Sequence, residues 1–479
     1  MRQLTGLDAA FLALETANST GHVGGVCVLD PTGAPRPVDL AALMDLMDQR
    51  ISLVPVLRQK LLEVPLGLDQ PYWIDDVDFD LEYHVRELAL PAPGSEAQLT
   101  EQVARLHARP LDRRRPLWEM YLITGLADGK VAVYTKLHHA AIDGVSGTEL
   151  LTVLLDLSPE GRELPVKPRG HEVSPGPAVL AARALARLAW RPVQTVRLSG
   201  EFIRMVPTLA PVVGSLVGGM LGLGSRGDGA VLEPASLGRA PATPFNKPIT
   251  PHRRIAFRSV SLEDVKYVKR AFGVSVNDVV MAMCAGALRT WLIDHDALPA
   301  GPLNAMIPVS VRDEKSQGTL GNKVSAMLAT VPTHLDDPLQ RLAVTHEATK
   351  VAKSQQAVIP QGLVDDISDF APPALVARAA RVVFATGVLH RVPPFNLCIS
   401  NVPGPNIPVY LAGARLLAQY PVSVVTDGQG LNITVVGYLG QLHFGLVACR
   451  ELVPDIDAMA SYLADELDLM LKAAAVAAG

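Results

Sequence analysis

Apolar positions recur in two periods over most of the chain. Val38 to Ile51 places Leu40, Leu43, Leu46 and Met47 at helical spacing and predicts an amphipathic helix. Residues 4–12 read as a short amphipathic opening segment, Glu96 to His107 predicts another helix, and Val23 to Leu29 a strand that ends in the turn Asp30 to Gly33. Trp118 to Thr124 and Lys130 to Leu137 read as paired strands, joined through Ala127, Asp128 and Gly129, which have hairpin chemistry. Leu150 to Leu155 is an apolar helix face, and after about residue 158 the pattern breaks.

Residues 158–177 are rich in proline and charge and read as a linker. In Ala178 to Met205, the residues Arg183, Arg187 and Arg191 are four apart, so a helix there would carry them on one face. Leu180, Leu185, Leu188 and Ala189 are expected on the other; such a helix suits a lipid interface or, equally, packs on its own domain with a solvated basic face. Met205 to Ser225 carries no charge and has the length of a membrane span, but Pro207, Pro211 and its glycines argue against a regular helix.

Regular patterning resumes near His252. Arg254 to Val260 predicts a strand, and Ser261 to Asp264 reads as a capping box opening a helix that stops at Gly273. A long helix follows through Leu292, with Asn277 as a candidate N-cap. Leu303 to Val311 and Val324 to Val331 predict strands, followed by helices around 338–355 and 374–389. Phe395 to Ser400, Val422 to Val425, Leu431 to Val436 and Leu442 to Cys449 complete the strands, and Ile456 to Lys472 is a closing helix. This mixed order predicts an α/β (α+β) chain of two sandwich-like domains, 1–158 and 252–479, around a connector at 159–251. At 479 residues the chain exceeds one ordinary core.

Composition narrows the classes. Hydrophobic content of 49% excludes a disordered chain, and a net charge of −5 gives no reason to expect nucleic acid. Cys27, Cys284, Cys398 and Cys449 are scattered without zinc spacing and read as buried thiols of a reducing cytoplasm. The first residues lack an apolar signal core, so a cytoplasmic location is expected. The acidic stretch from Trp73 to Val85 reads as a solvated loop leading into a strand, without metal-ligand spacing.

Chemistry concentrates between Lys136 and Val145, where a strand hands over to a helix. His138, His139 and Asp143 lie there, with Gly144 and Gly147 loosening the turn. Adjacent strand residues point to opposite sides, so only one histidine enters a given cleft unless the strand has already ended. A core histidine and a metal hydrolase built on His138, His139 and Asp143 are the other readings; adjacent histidines rarely chelate one ion, and no metal site is expected.

The form His-His-x-x-x-Asp-Gly resembles the acyltransferase motif of chloramphenicol acetyltransferase, the carnitine acyltransferases and peptide-synthetase condensation domains. That resemblance implies His139 as general base and Asp143, beside Gly144, as a structural brace, while His138 reads as support for the loop. Arg312, at the end of an apolar strand, is the candidate partner of Asp143. Further pieces widen the match: Leu7 to Phe11, Pro116 to Trp118, Asn277 and Asp278, Pro308 to Arg312, Gly321 and Asn322, and Asn401 to Pro405. Together they resemble the bacterial wax ester synthase/acyl-CoA:diacylglycerol acyltransferase family over nearly the whole length.

The family implies two chloramphenicol-acetyltransferase-like domains with an active-site tunnel between them. It implies acyl transfer from acyl-CoA, as co-substrate and without a bound cofactor, to diacylglycerol or a long-chain alcohol. Asn277, Asp278, Asn401, Pro403 and Gly404 become candidate tunnel residues; the prolines and glycine of Asn401 to Pro405 read as a rigid turn with a positive φ available at Gly404. Apolar composition and the basic stretch suit water-insoluble substrates, so peripheral contact with the inner face of the membrane or a lipid body is expected. The alternatives are another acceptor, such as a polyketide-type alcohol or an amine, and a non-catalytic lipid-binding protein of the same fold.

Overall fold

The computed structural model describes residues 1–142, 153–162, 175–187, 240–310, 324–356, 393 and 395–478. Strand β1 (Arg2–Gln3) leads to helix α1 (Gly6–Leu14), where the Thr5 hydroxyl accepts the Asp8 amide as a cap. β2 (His22–Asp30) precedes α2 (Leu40–Arg50), whose predicted apolar stripe is the buried one. β3 (Gln59–Leu62) and β4 (Tyr72–Asp75) join β1 in a small sheet that alternation does not reveal, because its strands have two to four residues. Next come α3 (Leu81–His84), β5 (Val85–Ala89) and α4 (Glu96–Ala108), the last opened by a Ser95–Gln98 capping box. β6 (Trp118–Thr124) and β7 (Val131–His138) pair across a turn with φ of 60° at Asp128 and 67° at Gly129, the backbone an Asp-Gly hairpin turn needs. α5 (His139–Ile142) follows directly, and residues 177–187 form helix α6. In the acidic stretch, Asp76 is buried and paired with Lys60 at 2.7 Å, so that part is not a solvated loop.

The second half contains β8 (Arg253–Ser261), α7 (Leu262–Phe272), α8 (Val276–Asp294), β9 (Leu303–Ser310), β10 (Val324–Val331) and α9 (Pro338–Gln356). β11 (Leu397–Val402), β12 (Tyr410–Leu411), β13 (Ala414–Val422), β14 (Leu431–Tyr438), β15 (Gln441–Cys449) and α10 (Ile456–Ala478) complete it. Gly273 ends α7 in the left-handed region, at φ 67°. The cap of α8 differs from the expected one: Ser275 is the N-cap and Asp278 closes a reciprocal box with it, so Asn277 lies inside the first turn. The strand foreseen at 422–425 lies earlier, at 414–422. The uncharged segment 205–225, most of the basic stretch and the helix expected at 374–389 lie outside the described residues.

Two six-stranded sheets organise the molecule. One has the order β10-β9-β11-β14-β15-β8, with α7, α8 and α10 packed on one face. The other runs β12-β13-β2-β7-β6-β5, so the hairpin at 410–422 leaves its own half of the chain and extends the sheet of the first half. Alternation then places a shared core between the halves. Val26, Tyr121, Ile123 and Tyr134 of the first sheet meet Leu99 and Val103 of α4 and Ile255, Phe257 and Val447 of the second sheet. α8 is the described helix long and apolar enough to cross a membrane, and it is the buried centre of the second core.

Arg50, at the end of α2, donates to the carbonyls of Val153 and Leu154 at 2.8 and 3.0 Å and to the Asp156 carboxylate at 2.5 Å. Both partners are almost wholly enclosed. The Asp156 backbone in turn exchanges two hydrogen bonds of 2.8 Å with Tyr410, so this ion pair ties α2, the segment after α5 and the crossing hairpin together. Breaking one side removes the 2.5 Å partner of a buried charge, Asp156 keeping Arg162 at 3.4 Å. Arg50→Ala should cost about 3–5 kcal/mol in urea unfolding. The double change Arg50→Met with Asp156→Leu should recover most of it, and a single-variant loss under about 1 kcal/mol would refute the role.

Candidate active site

β7 ends at His138 and α5 begins at His139, so strand alternation stops between the two histidines. His138 is the last residue of the β2–β7 ladder, opposite His22. Its Nδ1 accepts the Ala140 amide at 3.0 Å, and its Nε2 lies 3.1 Å from Glu15 Oε1. Both ring nitrogens thus hold local structure. His139 is half-buried. Its amide donates to the Gly21 carbonyl at 2.7 Å, and its ring stacks on Phe11 of α1, with centroids 4.0 Å apart and 22° between planes.

Glu15, just past α1, organises this corner. Oε1 also accepts the Gly21 amide at 2.9 Å, and Oε2 accepts Arg113 through Nη2 at 2.6 Å and Nε at 3.2 Å. Arg113 Nη2 reaches the Leu12 carbonyl as well, at 2.5 Å. Burial pushes the Glu15 carboxyl up, but His138, Arg113 and the Gly21 amide outweigh it and hold the pKa at about 2. Residue 21 has to be glycine on grounds of space, since a Cβ there would lie 2.8 Å from His138 Nε2.

Behind His138 runs a buried polar chain. His22 Nδ1 meets the His107 carbonyl at 3.3 Å, its Nε2 accepts the Leu111 amide at 3.4 Å, and His107 Nδ1 meets the Tyr134 hydroxyl at 2.8 Å. Lys136, fully enclosed, uses its ammonium on Glu119 at 2.9 Å and on the carbonyls of Leu106 and Arg109 at 3.0 Å each. It thereby fastens the C-terminal end of α4 to the strand that carries His138. Burial above all, then neighbouring positive charge, lowers both buried histidines from 6.5: His22 to about 3, His107 well below its ordinary value. Trp118 is a packing anchor, donating to the Leu57 carbonyl at 2.7 Å and stacking on His84.

The structure brings Asn277 and Asn401 together, with Asn401 Nδ2 3.5 Å from Asn277 Oδ1. Asp278 has a different place from the one expected. Its oxygens meet the Ser275 amide at 2.9 Å, His346 at 2.8 Å and Thr349 at 2.6 Å, so it braces α8 against α9. Burial opposes ionisation of Asp278, yet those donors keep its pKa lowered. Pro403 and Gly404 are exposed. Gly404 does not take a positive φ; it is glycine because a Cβ would fall 2.0 Å from the Gly437 carbonyl. Asp143, Gly144 and Arg312 lie outside the described residues. Among the described residues no cluster of His, Cys, Asp and Glu is able to hold a metal ion.

Sequence reasoning missed Glu15, Gly21, His22, His107, Lys136 and the task of Phe11. Phe11 stood in a recognised landmark without a role, and Lys136 was adjacent to the motif. Nothing local marks Glu15, which acts on residues six and 123 positions away.

A two-sheet fold with paired histidines at the end of a central strand defines an acyltransferase of the chloramphenicol-acetyltransferase-like type. Residues 4–280 match the wax ester synthase/diacylglycerol acyltransferase catalytic domain and residues 320–471 the WS/DGAT C-terminal domain, and the chain belongs to that family. A putative diacylglycerol O-acyltransferase of Mycobacterium tuberculosis is 38% identical over 98% of this chain and 90% of its own. The O-acyltransferase WSD of Acinetobacter baylyi is 33% identical, covering 98% and 97%. The wax ester synthase/diacylglycerol acyltransferase of Marinobacter aquaeolei VT8 superposes with a TM-score of 0.71 at 32% identity, over 99% of this chain and 100% of that one. A condensation domain of the calcium-dependent antibiotic synthetase shares the fold at 17% identity, with a TM-score of 0.55 over 99% and 96%.

Two outcomes test the corner. Glu15→Gln keeps the shape of the side chain and removes its charge, so transfer activity should fall about a hundredfold through misplacement of His139. Activity within about twofold of wild type, from protein of unchanged circular dichroism, would exclude the positioning role. Below pH 6.5 the unfolded chain binds protons at His22 and His107 that the folded chain refuses, at His22 down to about pH 3. Stability should therefore fall as pH drops below about 6.5, these two sites together contributing up to about 2.7 kcal/mol per pH unit. His107→Gln should halve that component in urea midpoints between pH 7.5 and 5, and an unchanged slope would contradict it.

Proposed function

We propose that the chain transfers a long-chain fatty acyl group from acyl-CoA to the free hydroxyl of diacylglycerol, forming triacylglycerol, with His139 as general base. The observation that carries this is the place of His139. It opens α5 where β7 ends, half-buried, with its amide held by the Gly21 carbonyl and its ring plane set by Phe11. The names of the Mycobacterium relatives support diacylglycerol as acceptor, and that of the Marinobacter protein favours a long-chain alcohol as a second one.

In the proposed step the acceptor oxygen bonds to the thioester carbonyl carbon while its proton passes to the His139 imidazole. The carbon–sulfur bond breaks, and the imidazolium returns the proton to the leaving thiolate. Ester and free coenzyme A are the products, and no cofactor is needed beyond acyl-CoA as co-substrate. His138 supports the base, and Asp143 with Gly144 braces the loop, Arg312 being the proposed partner of Asp143. Asn277 and Asn401 are assigned to the substrate side, with Pro403 and Gly404 on the wall beside them. A water-insoluble acceptor places the reaction at the inner face of the membrane or at a lipid body, with the protein cytoplasmic and peripheral.

The test is thiol release from palmitoyl-CoA with and without dioleoylglycerol or hexadecanol. Release should depend on acceptor and fall about 10²–10⁴-fold in His139→Ala. Acceptor-independent release, or undiminished activity in the variant, would remove the assignment.

A further inference from the structure

Helix α6 covers the outer face of the small sheet. Leu180 and Ala184, each 2% exposed, pack on Val64 and Tyr72. At about 100° per residue those two positions send Ala178, Val179, Ala182, Leu185 and Ala186 to the opposite side. All five are exposed, Val179 at 47% and Leu185 at 56%. Arg183 and Arg187 share one exposed flank, as the four-residue spacing suggested, and do not form the centre of the outward face. Arg183 and Arg187 lie at the flank between buried and outward sides, and Arg187 turns back to Asp69, at 3.2 Å, and to the Gln3 side chain. The positions α6 turns directly away from the sheet are apolar, with exposed Arg183 and Arg187 along one flank.

A second feature adjoins it. Leu66, in the turn Pro65–Gly67 beside Val64, is 87% exposed and has a φ of 59°. Side-chain-bearing residues rarely take that backbone. The chain here holds a large apolar side chain outward on a strained turn, two residues from the Val64 on which α6 packs, and packing among the described residues accounts for neither feature.

We propose that α6 and the Pro65–Gly67 turn dock the protein on a glycerolipid interface, with Leu66, Val179 and Leu185 entering the acyl region and Arg183 and Arg187 level with lipid phosphates. An interfacial helix needs an apolar outward face and cationic flanks, which α6 has. The outward positions of α6 carry no carboxylate or amide to give a protein partner polar registration. The surface is also joined to the candidate site: β1 pairs with Tyr72 through Gln3 and leads into α1, whose Phe11 stacks on His139. This inference rests on the proposed function in taking the acceptor to be a membrane lipid.

The experiment is flotation of the whole protein with vesicles of phosphatidylcholine and phosphatidylglycerol carrying dioleoylglycerol. The double variant Leu66→Gly with Leu185→Glu is compared with wild type and with Val476→Glu, which alters an apolar residue 83% exposed on α10. Wild type and Val476→Glu should bind equally. The double variant should lose about tenfold or more in partition coefficient, as the loss of leucine-sized buried groups requires. Its activity on vesicle-borne diacylglycerol should fall in parallel, while activity on a dispersed medium-chain alcohol stays at the wild-type level. Leu66→Gly relieves the strained φ, and Leu185→Ser serves as a milder second variant should Leu185→Glu disturb the fold. Absence of binding by wild type, or equal binding by the double variant, overturns the proposal. A change of oligomeric state with vesicle binding unaltered also overturns it and assigns the surface to a second copy of the chain. If vesicle binding responds as expected but no acceptor is acylated by wild type, docking stands and the acyltransferase acceptor assignment fails.

Discussion

The hydrogen bond from the His139 amide to the Gly21 carbonyl, at 2.7 Å, is the tie from which the rest of the site is built. It lies one residue beyond the last pair of the β2–β7 ladder, where His22 faces His138. A strand pair normally frays there. Here the ladder gains one more bond, and the chain turns into α5 from a fixed starting point. Gly21 is held from its other side too, since its amide donates to Glu15. Glu15 is in turn fixed by Arg113 and His138. A half-enclosed carboxylate tolerates its position only when several donors share its charge, which is why it stays ionised to about pH 2. Backbone geometry at residue 21 and electrostatics at residue 15 therefore act as one constraint on the direction in which His139 leaves the strand.

That constraint needs an immobile base, and the two halves of the chain supply it jointly. The hairpin at 410–422 extends the first sheet although its sequence neighbours belong to the second. The core beneath β7 draws residues from α4, β8, β13 and β15 alike. Neither half closes that core alone, so its burial rewards only the assembled pair. The Arg50–Asp156 pair applies the same logic where it joins α2 to the segment that pairs with Tyr410.

Long periodic elements were legible in the sequence because period and burial coincide: α2 buries Leu43, Leu46 and Met47, and β7 and β15 are buried almost throughout. The handover at the histidine pair was legible for the same reason, as a strand pattern ending at a glycine-softened turn. Contacts were harder. Strands β1, β3 and β4 are too short to show alternation and exist through their pairing. Asn277 is a good cap by residue type, but Ser275 wins because Asp278 completes the reciprocal box only from there. Gly404 suggested a left-handed turn, yet its reason is the neighbouring Gly437 carbonyl, a residue 33 positions later. The arginine spacing was real, but which side of α6 faces outward depends on Val64 and Tyr72.

The same distance in sequence explains why two adjacent histidines end in such different states. His138, still part of the ladder, points into the enclosed side of the sheet, where an imidazole must satisfy both nitrogens locally; Ala140 and Glu15 meet that requirement. His139 has left the ladder, remains half-exposed, and is restrained by a ring stack on Phe11. The stack sets the plane of the His139 ring, whereas the Ala140 amide and Glu15 hold His138 within the ladder. The two histidines differ in this way because the strand ends between them.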